Sequence, residues 1–461
     1  MSKGSIRSRG SKGSKGYYLI ALGCDKNIID AEVMADRLKR GGFHASKSPA
    51  DADIIIVHTC AFVESAKEES IDTILGLENE KGDGAKLVVS GCLAQRYPNE
   101  LAEEIEEIDL VLGVGKHADI IEHLGGQRIL VSSPEDWDID TIDRLPSTPR
   151  HYAFLKISEG CNNRCSFCVI PSIRGGLRSR PIKDIVAESK RFGERGLVEL
   201  NLVAQDVASF GFDIPDGSRL TGLLESLLQE TDIPWIRLLY LHPKNITPGL
   251  IDLVSSEERI LSYLDVPIQH CSDAILKSMG RGIGKEEIIS LIDEMRSRIE
   301  NLYIRTSFIV GYPGEGESEF NELCEFVKNV RFQNLGVFRY SKEEGTRAFD
   351  MKGHPPEDIV EDRYDTLMEI QSEISLRENE KLVGKVIKVL VDGDVGDSNG
   401  ENDKVLVRGR FYGQAPEVDG EILINGEGLL PGDVVDVVIT DAGDYDLIGD
   451  VVDKKTIKTS I

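Results

Sequence analysis

Apolar positions along this chain fall into three successive rhythms. From Tyr17 to about Leu124, the short apolar runs YYLIAL, DIIIVHT, KLVVSG and LVLGV alternate with amphipathic stretches such as IIDAEVMADRLKRGG, SAKEESIDTILGLE and LAQRYPNELAEEIEE. Strand-length runs alternating with helical periodicity predict a parallel α/β sheet. The stretch VSSPEDWDIDTIDRLPSTPR, rich in Pro, Ser and acids, reads as a linker. From about Tyr152 to Arg347 the alternation resumes with AFLKIS, LVELNLVA, WIRLLYL, LDVPI, YIRTSFIVG and LGVFRY, and six strand–helix units predict a barrel or part of one. After the helical stretch EDRYDTLMEIQSEISLRENEKL comes a third rhythm, KVIKVLV, KVLVRGRFY, GEILI, DVVDVVIT and DLIGDVV, five short strands with Gly and Asp turns that fit a small β-barrel of OB-like size. The expected class is α/β: a disordered basic tail over 1–16, a parallel α/β domain over 17–131, a linker over 132–150, a partial (β/α) barrel over 151–380, and a β-barrel over 384–453.

Composition narrows the function. A chain of 461 residues with 40% hydrophobic content is long enough for about three globular domains. No run of 18 apolar residues occurs, and the start MSKGSIRSRGSKGSKG lacks the apolar segment of a secretory signal, so a cytoplasmic protein without a membrane anchor is expected. The formal charge is 54 minus 80, or −26, which opposes a general attraction to nucleic acid or anionic membranes and favours basic partners. Eight cysteines in such a chain point to metal or redox chemistry rather than a disulfide framework.

Their placement is specific. The stretch EGCNNRCSFCVIP, Glu159 to Pro171, holds Cys161, Cys165 and Cys168 in a CxxxCxxC spacing directly after the strand that opens the barrel-like region. Three thiolates can hold a four-iron cluster by three irons and leave the fourth open to a substrate. Zinc would require a second CxxC or an HxxxH, and neither is present. Cys24, Cys60 and Cys92 each stand just beyond a strand candidate of the first sheet, after YYLIALG, DIIIVHT and KLVVSG. Strand ends of a parallel sheet share one crevice, so these three are expected to converge as a second three-thiolate set. Cys271 and Cys324 have no such partners and are assigned to packing.

The CxxxCxxC motif resembles the signature of the radical S-adenosylmethionine (SAM) enzymes. That resemblance implies a 4Fe-4S cluster whose open iron chelates SAM and cleaves it to a 5′-deoxyadenosyl radical. Phe167 matches the aromatic position of that motif. Glu199 and Gln205, assigned to a strand end at the barrel mouth, are candidates for touching SAM or are ordinary strand-end polar residues. Arg180 and Arg174, in IRGGLRSRP, would clamp a carboxylate or cap the loop. The set LGCDKNIIDAE, HTCAFVESAKEES, SGCLAQRYP, EGCNNRCSFCVIPSIRG and a terminal barrel resembles the methylthiotransferases over Tyr17 to Asp453. The terminal barrel resembles their TRAM module. This implies two 4Fe-4S clusters, one cleaving SAM and one presenting sulfur, a second SAM as methyl donor, and a flavodoxin or ferredoxin as electron donor.

Within that family LGCDKN and FYGQAPEVDGEI look like the RimO type, with Asp25 where Pro is expected. Members of that type methylthiolate an aspartate β-carbon in the basic small-subunit ribosomal protein S-twelve. A MiaB-type enzyme acting on tRNA adenosine and a non-enzymatic electron carrier are the alternatives. The terminal region favours a protein over tRNA, since Gly384 to Asp453 carries 16 acids against 5 bases, a net of −11.

Overall fold

The computed structural model describes residues 15–78, 80–134, 137, 143–394 and 406–452; the basic tail and parts of the linker and barrel lie outside them. The chain forms two compact units. One runs to Ser147 and takes in Ile170–Gly176; the other holds Thr148–Val169 and the chain from Leu177 onward.

The first unit is a six-stranded parallel sheet of β1 (Gly16–Ala21), β2 (His44–Ala45), β3 (Ile54–Thr59), β4 (Lys86–Gly91), β5 (Ile108–Leu112) and β6 (Ile129–Leu130), in the order β2-β1-β3-β4-β5-β6. The two flanking strands are two residues long, too short to show in an apolar pattern. Every residue of β3 is buried, as expected of a central strand covered by helices on both faces.

The second unit contains a six-stranded parallel sheet. Its members are β7 (Tyr152–Lys156), β10 (Glu199–Val203), β11 (Trp235–Leu238), β12 (Ile260–Asp265), β13 (Tyr303–Val310) and β14 (Asn334–Arg339), in the order β14-β13-β12-β11-β10-β7. The small pair β8 (Ser158–Glu159) and β9 (Arg178–Ser179) lies between β7 and β10 in sequence. The sheet is open between β14 and β7, so the expected partial barrel is what forms. Alternate residues such as Leu200, Leu202, Ile236, Leu238, Leu264 and Ile304 face the helices in one core, leaving Glu199, Asn201, Arg237, Tyr263 and Arg305 on the opposite face.

The terminal strands β15 (Val386–Asp394), β16 (Leu406–Arg410), β17 (Ile422–Asn425), β18 (Val434–Ala442) and β19 (Leu447–Val451) close into a barrel, β15-β16-β17-β19-β18, around Val389, Val391, Val407, Ile422, Ile424, Val437, Ile439 and Leu447. This barrel belongs to the same compact unit as the partial barrel. Tyr303 of β13 packs edge-on against Phe411 and Tyr412, with ring centroids 5.1 and 5.4 Å apart.

Candidate functional site

In the first unit the three separated cysteines stand at the carboxyl edge of three adjacent strands. Cys24 precedes the helix Asp25–Arg40, Cys60 follows β3, and Cys92 opens the helix Cys92–Arg96 after β4. Gly23 and Gly91, at φ +86° and +98°, make these turns. A Cβ on Gly23 would come within 2.8 Å of Cys60 Sγ, and one on Gly91 within 2.5 Å of Thr59 O, so only glycine lets the loops close this tightly. Burial pushes the Cys92 thiol up to about 12, with Arg174 opposing and the neighbouring Cys60 and Cys24 adding to the rise. Cys60 is raised too, by burial first and then by Cys24. The three thiols are therefore within electrostatic reach of each other.

Arg174 completes this group. Its guanidinium donates to Asp30 Oδ2 at 3.1 Å, Asn27 Oδ1 at 2.7 Å and Cys92 Sγ at 3.5 Å. Asn27 donates in turn to Leu22 O and Thr59 O, which ties the Cys24 loop to the end of β3. A fixed cation beside a thiol favours the thiolate, the form that binds iron. Sequence reasoning offered Arg174 as a carboxylate clamp; the structure sets it against the first cysteine set because Ile170–Gly176 packs in that unit.

In the second unit Cys161, Cys165 and Cys168 lie together in the loop after β8, half-exposed. Asn163 N–H meets Cys161 Sγ at 3.4 Å and Arg281 Nη1 meets Cys165 Sγ at 3.3 Å. The loop is pinned by Ser166, whose N–H donates to Met279 O and whose hydroxyl shares a 2.7 Å hydrogen bond with Tyr312. Asp206 accepts from Asn163 Nδ2, Asn245 Nδ2 and His242 N–H, joining the loop to the ends of β10 and β11. Burial pushes the Cys161 thiol up to about 11, with Asn163 N–H opposing. Cluster assembly must therefore release protons. Among the described residues no three His, Cys, Asp or Glu side chains are arranged around a single metal ion.

The SAM candidates divide. Gln205 lies beyond the carboxyl end of β10, beside the cysteine loop, and donates to Glu159 Oε1 at 2.8 Å. Its own Oε1 is buried without a hydrogen-bond partner, as is Ser158 Oγ, and both suit a polar ligand at the mouth. Glu159, held also by Lys156 Nζ at 2.8 Å, was overlooked although it opens the quoted cysteine stretch. Phe167 packs on Ile275, Met279, Ile309 and Tyr312. Arg180 is 1% exposed and gives Nη1 to Lys156 O and Nη2 to Glu188, while its Nε is buried without a hydrogen-bond partner.

Glu199 requires correction. It is the first residue of β10, at the amino end and away from the mouth, and it is fully buried between Arg237 Nε at 2.7 Å and Arg410 Nη1 at 2.8 Å. Burial alone would raise its pKa; Arg410 and Arg237 outweigh that and hold it below the usual carboxylate range. Arg410 belongs to the terminal barrel, so Glu199 is a structural tie between barrel and sheet. The alternation of strand residues was readable, but only pairing with a distant arginine reveals the role.

Comparisons with known proteins bear on the family and the fold. The Uncharacterized protein family UPF0004 matches residues 16–113, the Radical SAM superfamily 155–327 and the TRAM domain 383–452. The chain is 45% identical over 445 residues to "Ribosomal protein uS12 methylthiotransferase RimO" of Myxococcus xanthus, covering 95% of this chain and 92% of that one. It is also 45% identical to the protein of that name from Syntrophotalea carbinolica, over 95% and 96% of the two chains. Among solved structures, the radical SAM methyltransferase TsrM from Kitasatospora setae, with cobalamin and a [4Fe-4S] cluster bound, superposes with a TM-score of 0.55 at 15% identity, covering 73% of this chain and 77% of that one. At that identity the likeness is one of fold.

Proposed function

The chain belongs to the RimO family of ribosomal protein uS12 methylthiotransferases, and from that premise we infer how its own residues divide the work. It is a SAM-dependent radical methylthiotransferase that modifies uS12, with two 4Fe-4S clusters and SAM as cofactors. The tRNA and electron-carrier readings are set aside. The observation that carries the assignment of roles is the pair of three-cysteine sets, each at the carboxyl edge of its own parallel sheet.

Cys161, Cys165 and Cys168 hold one cluster and Cys24, Cys60 and Cys92 hold the other. When bound, the first group with SAM supplies hydrogen abstraction from an unactivated carbon and the second supplies sulfur, chemistry no side-chain base can perform. The protein's part is positioning. Arg281 steadies the Cys165 thiolate, Asp206 and Ser166 fix the loop, and Gln205, Glu159 and Ser158 offer polar atoms to SAM at the mouth. Arg174 and Asn27 hold the Cys24, Cys60 and Cys92 crevice in shape. A low-potential one-electron donor of the flavodoxin or ferredoxin class supplies the electron. Among the described residues no helix is long and apolar enough to cross a membrane.

The test is anaerobic reconstitution followed by assay with uS12. The wild type should bind about eight irons and transfer a methylthio group. Changing Cys161, Cys165 and Cys168 to Ala should leave about four irons and end SAM cleavage. Changing Cys24, Cys60 and Cys92 should spare SAM cleavage and end sulfur transfer. SAM cleavage by the first variant, or methylthiolation by the second, would overturn the assignment.

A further inference from the structure

β14 is an edge strand: it pairs with β13, and among the described residues no strand lies on its other side. Tyr340 N–H donates to Val310 O, and successive residues of a strand address alternate neighbours, so Leu335, Val337 and Arg339 turn their N–H and C=O groups toward the unpaired side. Exposed edges are normally blunted by short length, inward charge or a covering segment. Here the edge carries the opposite feature, a large aromatic. Phe338 is 52% exposed, on the sheet face away from the helical core that buries Leu335 and Val337.

The flank of this edge is acidic. The helix Glu357–Glu380 packs along β14, sharing the core with it through Leu367 and Ile374. It carries nine acids and two arginines. Both arginines are engaged within the chain, Arg363 with Glu315 and Arg377 with Glu373. Asp358, Asp362, Asp365, Glu369 and Glu373 recur at three- and four-residue spacing on the exposed side. Like charges at that spacing destabilise a helix, so an isolated helix gains nothing from the arrangement. A Lys/Arg-rich partner would relieve it.

We propose that β14 docks an extended, Lys/Arg-rich segment of the protein substrate as an added strand, with Phe338 as the apolar anchor and the acidic helix as the charged flank. The inference rests on the uS12 reading above. Main-chain hydrogen bonds to Leu335, Val337 and Arg339 would give affinity, and alternate side chains of the segment would meet Phe338. Nucleic acid fits poorly, having no peptide backbone to pair and meeting repulsion from the helix.

Two measurements on the reconstituted full chain test it. Phe338→Ala should raise KM for uS12 by about tenfold, as loss of an interface aromatic does, and leave SAM cleavage without uS12 unchanged. Amide exchange at Val337 and Arg339 should slow by at least about tenfold when uS12 binds the wild type. An unchanged KM, or uS12 binding that protects another surface and leaves β14 exchanging freely, would overturn the proposal. If the wild type does not methylthiolate uS12 at all, the functional reading fails instead, and the two failures are distinguished by that control.

Discussion

At the scale of single residues, the decisive cases are buried charges whose partners come from afar. Glu199→Gln leaves Arg410 and Arg237 each short of a carboxylate in a dry site, and should cost about 3–5 kcal/mol in unfolding free energy. SAM affinity of the folded variant should not change; a specific loss of SAM binding with intact stability would restore Glu199 to the cofactor site. The effect depends on pH. Glu199 and Asp392, which His151 and Arg410 hold below the usual carboxylate range against the opposing effect of burial, titrate lower folded than unfolded. Their stabilisation is complete above the unfolded value, about pH 4, and is lost as pH falls through the lower folded values. Urea unfolding of wild type and Glu199→Gln should therefore converge as pH drops through that window. Arg174→Ala, leaving Asp30 buried without its cation, should lower iron retained on the Cys24, Cys60 and Cys92 set while SAM cleavage persists, which iron analysis and a 5′-deoxyadenosine assay would separate.

At the scale of elements, the unit of function is the strand followed by a glycine turn and a cysteine. In the first sheet, Gly23 two residues beyond β1 and Gly91 at the end of β4 each adopt positive φ directly before the cysteine, and Gly160 at φ +73° does the same before Cys161. Gly23→Ala puts a methyl within 2.6 Å of Cys60 Cβ and forces a side chain into positive φ. The expected result is a chain that folds and cleaves SAM but holds about four irons instead of about eight, read by iron content and by the absence of methylthiolated product. Full iron in this variant would show that the loop has room to move. Elsewhere in the second unit, Tyr240 and Gln269 adopt positive φ without being glycine, at the carboxyl ends of β11 and β12. Tyr240 N–H is anchored on Asp265 Oδ2 at 3.0 Å and Gln269 N–H on Ser307 O at 2.8 Å, so the surrounding hydrogen bonds maintain the strain at the barrel mouth.

At the scale of the whole molecule, the terminal barrel is part of the second unit's interior. Arg237 donates to Tyr412 O, Tyr263 donates to Asp419 at 2.6 Å, Arg305 faces Asp419 at 3.3 Å, and His151 reaches Asp392 at 2.8 Å. Truncation after Glu380 would take Arg410 from Glu199, Tyr412 O from Arg237 and Asp419 from Arg305 and Tyr263. Its Tm should fall by at least about 10 °C relative to the full chain, measured by thermal unfolding, and an unchanged Tm would make the barrel an appended module. Most of the barrel's acids among the described residues are exposed, and the chain as a whole is at −26. Association with basic uS12 should accordingly weaken as salt rises, most of the change falling in the on-rate.

Period and composition were enough to read the class of each region, because apolar runs for central strands and glycine at their ends are patterns of a few residues that the backbone must obey locally; the family was legible only through the resemblance of the cysteine-bearing motifs. The reading stopped where partners are remote in sequence. Glu199 looked like a mouth residue because a strand end is obvious in a sequence and its direction relative to a ligand is not. Arg174 looked like part of the CxxxCxxC loop because it follows that loop by six residues, yet it folds against Cys92. Which charges pair, which strand is left at the edge, and which unit claims Ile170–Gly176 are outcomes of packing among segments tens to hundreds of residues apart, and only the tertiary structure decides them.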